Sequence, residues 1–77
     1  MSDQFTELKR TLSHNIKHYR GLKGLSQEKL ALEAGVDRTL VSRIERCVVN
    51  PTICILQKLA TRLEISADLL LKKSDPD

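Results

Sequence analysis

The feature that most constrains this 77-residue chain is a pair of short, capped helical segments with Ala34-Gly35-Val36 between them. Ser26 can accept a hydrogen bond from a free backbone amide of the turn that follows it, and Glu28 suits the positive end of that turn. Leu25 can pack on Leu30 as a hydrophobic staple, so a helix begins at Gln27. It carries Leu30, Ala31 and Ala34 inward and meets Gly35 after about eight residues, where glycine adopts a left-handed turn most easily. Asp37 repeats the cap, and Val36 with Val41 repeats the staple, so a further helix runs from Arg38 to about Arg46 with Val41 and Ile44 inward. The chain must bend sharply between the two.

The flanking segments follow the same helical period. Phe5, Leu8, Leu12, Ile16 and Tyr19 share one face of a first helix from about residue 4 to about residue 22, which Gly21 and Gly24 weaken and stop. After an irregular stretch from Cys47 to Pro51, Thr52 caps a fourth helix whose apolar face is Ile53, Leu56, Leu59, Ala60 and Leu63. Ser66 caps a short fifth helix holding Leu69, Leu70 and Leu71. No segment alternates apolar and polar residues between hairpin turns, so the fold class is all-α: a compact arrangement of five short helices. Residues 1–73 form the single domain and residues 74–77 a frayed tail.

Composition narrows the function. With 40% hydrophobic residues the chain can bury one core, but a domain of this length has little stability to spare for a catalytic cavity. Its 13 Lys and Arg against 10 Asp and Glu favour an anionic partner, and the excess falls in residues 1–25, where Lys9, Arg10, Lys17, Arg20 and Lys23 face only Asp3 and Glu7. No run approaches the roughly 18 apolar residues needed to cross a bilayer and no secretory core precedes the domain, so a cytoplasmic setting and no membrane partner are expected. Cys47 and Cys54 are too few for a disulfide scaffold and read as two buried or partly buried free thiols. His14 and His18, four apart, together with these cysteines match no common zinc spacing, and no nucleophile elbow or phosphate-cradling glycine loop is present. The expectation is a protein that is not an enzyme, with no catalytic residues, no metal, no cofactor and no evident small-molecule ligand.

The outward face of the third helix bears on function more directly. With Val41 and Ile44 buried, helical periodicity puts Thr39, Ser42, Arg43 and Arg46 on the opposite side and Arg38 at the leading end. That face carries donors, no acid and little bulk, which suits the major groove, where arginine can pair bidentately with guanine. The ordinary alternative is a solvated polar face such as every surface helix has; the capped turn in front of it weighs against that alternative.

These residues carry a resemblance. Through Ile16-Lys17-His18-Tyr19-Arg20, Gly24-Leu25-Ser26-Gln27-Glu28-Lys29-Leu30-Ala31, Ala34-Gly35-Val36 and Ser42-Arg43-Ile44-Glu45-Arg46, the chain resembles the Cro and lambda-repressor-like (XRE-type) helix-turn-helix family over about residues 10 to 71. Within it, Asp37-Arg38-Thr39 and Asn50 look like the short controller proteins of restriction-modification systems. The resemblance implies a helix-turn-helix at helices two and three. It further implies that Gln27 donates to a phosphate and that Arg38, Thr39, Ser42 and Arg43 face bases or the adjacent backbone, with Arg46 and Asn50 positioned for the backbone. It also implies a partly buried Arg20 to Glu45 ion pair holding the third helix at its angle. The chain departs from the family at Cys47, where a glycine commonly stands, so the loop after helix three is expected to differ; Leu40 replaces a tyrosine common in the controller proteins.

The function so implied is that of a sequence-specific double-stranded DNA-binding transcriptional regulator, acting on an operator as a homodimer. One short module contacts too few bases for strong specificity, and the surplus of Ile55, Ile65 and Leu69 to Leu71 supplies a candidate seam between copies. The rival is a helical protein-interaction module, such as an antitoxin or adaptor, that uses the same apolar surplus without reading DNA.

Overall fold

The computed structural model describes residues 4–73. Its order is α1 (Gln4–Leu22), α2 (Gln27–Ala34), α3 (Arg38–Glu45), α4 (Ile53–Leu63) and a single 3₁₀ turn over Ala67–Leu70. The all-α class and four of the expected helices are present. The fifth α-helix is not, and the tail over residues 74–77 lies outside the described residues.

The reason lies in where the last carbonyls go. The buried Asn15 amide of α1 donates to the carbonyls of Leu69 at 3.2 Å, Leu70 at 2.9 Å and Lys72 at 2.8 Å. With those acceptors drawn toward α1, the segment closes only tight turns, Leu69 N–H on Ser66 and Leu71 N–H on Asp68. Ser66 holds the position before the turn but its hydroxyl makes no capping bond, contrary to expectation. Leu70 is 0% exposed and belongs to the core, so it cannot serve the seam between copies that the sequence assigned to it.

Leu12, Ile16, Leu30, Val41, Ile44, Leu59, Leu63 and Leu70 form that core, and every element contributes to it. Each fully buried aliphatic side chain stabilises the fold by about 1.5–3 kcal/mol relative to exposure. Two expectations of burial fail. Ile53 is 84% exposed, because its place at the margin of the α4 stripe points it past the core, and Phe5 and Leu8 are only half covered, lining a surface groove with Leu56 and Leu71. No helix among the described residues is long and apolar enough to cross a membrane.

The loop after α3 turns on Cys47, whose φ is +63°. Its N–H bonds the carbonyl of Ile44, the N–H of Val48 bonds that of Arg43, and its thiol lies 3.7 Å from the carbonyl of Lys9. The loop therefore uses the left-handed conformation that glycine would supply, at the steric cost of a Cβ. Cys47→Gly is expected to raise the stability by about 1 kcal/mol and Cys47→Val to lower it, both read from urea midpoints. Cys54 is exposed rather than partly buried, and both cysteines are free thiols.

Candidate nucleic-acid interface

The bend between α2 and α3 is built as the local sequence requires. Ser26 Oγ accepts from Lys29 N–H at 3.0 Å. Gly35 takes φ +74°, and its N–H reaches back to the carbonyls of Ala31 and Leu32. Asp37 then starts α3: its Oδ1 accepts from both the N–H and the hydroxyl of Thr39, each at 2.9 Å.

These two bonds, with Arg43 and Arg38 nearby, hold the Asp37 carboxyl below its ordinary pKa. Glu33, bonded to Arg62, and Glu64, bonded to Lys23, are lowered as well. A group depressed in the folded state contributes stability that is complete above the unfolded value, about pH 4, and is lost as pH falls through the folded one. The melting temperature should therefore drop as pH falls below about 4, and Asp37→Asn, which keeps the cap but cannot titrate, should shallow that drop.

The far end of α3 is locked from below. Glu45 has a side chain only 3% exposed, and the Arg20 guanidinium grips it with Nε at 2.7 Å and Nη2 at 2.9 Å. Arg20 Nη1 also donates to the carbonyl of Leu25 at 2.9 Å. Gln27 Nε2 donates to Glu45 Oε1 at 2.8 Å, and Ser13 Oγ donates to the Glu45 carbonyl at 2.6 Å. One acidic residue thus ties α1, the start of α2 and the end of α3 together, as the ion pair implied by the resemblance requires.

The sequence-predicted residues fall into three groups. Arg38, Thr39, Arg43 and Arg46 are exposed and Ser42 half-buried along α3 and its C-terminal cap. Arg43 and Arg46 take part in no ion pair within 4 Å among the described residues; Arg38 lies 3.8 Å from Glu28 at the start of α2. Gln27 is half-buried and turned toward Glu45, so one of its amide hydrogens is committed and the other remains for a partner outside. Asn50 is exposed, in the loop after α3, and lines a surface groove with Phe5, Leu8, Pro51, Leu56 and Leu71.

Sequence reasoning missed Ser13 and Glu28. Ser13 lies seven residues before Arg20 and so on the same stripe of α1, a signal that could have found it; the Glu28 contact with Arg38 follows from the packing of α2 against α3 and has no local signature. Among the described residues no three His, Cys, Asp or Glu side chains group to hold a metal ion, and His14 and His18 stack with ring centroids 6.5 Å apart.

Residues 16–70, from the last turns of α1 to the 3₁₀ turn, match the family model described as Helix-turn-helix. The chain belongs to this helix-turn-helix family, and among its relatives SinR of two Bacillus species is named as a transcriptional regulator. It is similar to the Neisseria meningitidis hypothetical transcription factor, 40% identical over 65 residues that make up 84% of this chain and 61% of that one. The crystal structure of that factor superposes with a TM-score of 0.85, covering 95% of this chain and 83% of the other. The control protein C.SmaI of Serratia marcescens is 38% identical over 90% of this chain and 82% of its own length. The structure of the biofilm master regulator SinR in complex with DNA matches at TM-score 0.76 and 40% identity, over 79% of this chain and 98% of that one. Against full-length SinR of Bacillus licheniformis the match spans only 59% of the relative.

Proposed function

We propose that this chain is a sequence-specific double-stranded DNA-binding transcriptional regulator that enters the major groove of an operator with α3 and acts as a homodimer in the cytoplasm. The observation that carries this is the exposed row on α3 in which Arg43 and Arg46 have no carboxylate within 4 Å among the described residues, on a helix anchored by the buried Glu45. In this reading Arg38 and Arg43 read base edges, with Thr39 and Ser42 close to bases or backbone. Gln27, Arg46 and Asn50 contact phosphates, and the free amide hydrogen of Gln27 serves there. Thr39, whose hydroxyl proton is held by Asp37, can offer only its lone pairs. SinR is described in complex with DNA, and C.SmaI is described as a control protein; the likeness to both supports the reading.

Selection of sites from random duplex DNA, followed by sequencing, tests it. A two-fold symmetric consensus with half-sites about 34–36 Å apart is expected. Arg43→Ala should relax preference at one position by about 1–3 kcal/mol, whereas Gln27→Ala should weaken all sequences alike. If Arg38→Ala and Arg43→Ala together left the sequence preference unchanged, base reading by α3 would be wrong. For the dimer, the seam falls to the partly buried Ile55, Ile65 and Leu69 and the exposed Leu71, with Leu70 withdrawn. A folded Leu69→Lys variant should sediment as a monomer; a wild type that is monomeric both free and on its operator would sink the homodimer.

A further inference from the structure

Among the described residues the cations divide into two sets. Arg20, Lys23, Lys29, Arg38, Arg62 and Lys73 have carboxylate partners within 4 Å. Arg10 and Lys17 on α1, like Lys9, Arg43, Arg46, Lys58 and Lys72, have none, and both are exposed. A pair of unneutralised cations seven residues apart stands in one row along the helix, two turns from end to end.

Where that row lies follows from the seam between α1 and α3. The seam is fixed by Ser13 and Arg20, also seven apart, both bonded to Glu45. At about 100° per residue, Ile16 and Leu12 sit about 60° and 100° to one side of the Ser13 row, and both are buried in the core. Arg10 and Lys17 sit about 60° to the other side, each three residues before a seam residue. On α3, Val41 and Ile44 lie on the core side of Glu45, while Ser42 and Arg46 lie on the opposite side. Lys9 meets Cys47 and Ser13 meets Glu45, so the two segments pass each other antiparallel, the core lies to the same side of both, and what they present on the other side faces solvent. Arg10 and Lys17 therefore border the surface that carries Ser42 and Arg46.

We infer that Arg10 and Lys17 are phosphate-contacting residues that extend the DNA interface from α3 onto the flank of α1. This rests on the DNA-binding reading above and adds to it a second, sequence-independent contact surface. A helix packed beside one lodged in the major groove lies about 8–10 Å from it, against the phosphate wall of a groove about 12 Å wide. Two long, unpaired cations on that flank suit a row of phosphates, and neither is placed to reach a base edge. Their contribution should therefore appear in affinity and salt dependence and leave base preference untouched.

The test measures binding of the full chain to its selected operator duplex across a series of salt concentrations, by fluorescence anisotropy. Because each substitution is present in both copies of the dimer, each of Arg10→Gln and Lys17→Gln should reduce the slope of log affinity against log salt by close to two, and the double variant by close to four, at about 0.9 per phosphate released. Between about 0.05 and 0.2 M salt the double variant should consequently lose about a hundredfold less affinity than the wild type loses. Lys58→Gln, which removes the same charge from the outward side of α4, should leave the slope unchanged; circular dichroism checks that each variant is folded. A double variant with the wild-type slope, or one that changes the selected consensus, would overturn the assignment while leaving α3 as the reading helix. A wild type that bound no duplex DNA would overturn both.

Discussion

Replacement of Arg20 by methionine is expected to lower the free energy of unfolding by about 3–5 kcal/mol, the cost of leaving a buried charge without its partner. The Glu45 side chain is 3% exposed, and after the substitution only the Gln27 amide would still answer it. Small domains have about 5–15 kcal/mol in total, so the variant should stand close to its unfolding transition at room temperature. The companion experiment separates charge from packing. Arg20→Met with Glu45→Leu removes both ions, and most of the lost stability should return, since apolar pairs of similar volume can replace buried ion pairs at little cost. Urea titration by circular dichroism reads all three proteins. A single-variant loss below about 1 kcal/mol would show that the pair behaves as a surface salt bridge.

Leu70→Lys should have the other large effect, and it should unfold the protein instead of dissociating a dimer. Leu70 is 0% exposed, with its carbonyl held by Asn15. The substitution removes a fully buried leucine, worth about 2–5 kcal/mol, and asks an ammonium group to sit in its place. Loss of the helical signal at every concentration is the expected result. Leu69→Lys, one residue earlier and only half-buried, should keep that signal. If Leu70→Lys instead stayed helical and cooperative, the turn at Ala67–Leu70 would not be part of the core.

The contrast between those two leucines marks what the sequence made legible. Caps, staples and glycines act within a few residues of themselves, so the starts of α2, α3 and α4 could be read directly from Ser26, Asp37 and Thr52 and the bend from Gly35. The outward row on α3 was equally legible, because burying Val41 and Ile44 fixes where Arg43 and Arg46 must point. The last segment was not. Three consecutive leucines give no period, and what decides their conformation is Asn15, more than fifty positions away in the chain. Likewise, a family likeness could suggest Gln27 for a phosphate, but its bond to Glu45 depends on how α1 and α3 are packed. Local chemistry predicted elements and faces; long-range hydrogen bonds determined which side chains remained free.

The same Asn15 clamp bears on the order in which the protein is made. Synthesis proceeds from the N-terminus, so α1 is available before any of its C-terminal partners exist. Until Leu69, Leu70 and Lys72 have left the ribosome, the Asn15 amide has no acceptors and the hollow that Leu70 fills stays open. A nascent chain carrying α2 and α3 therefore already holds the arginines of α3 but lacks the plug that closes the core. Folding of this domain can be completed only after residues as far as Lys72 have emerged, and chains that lack them should be open to proteases.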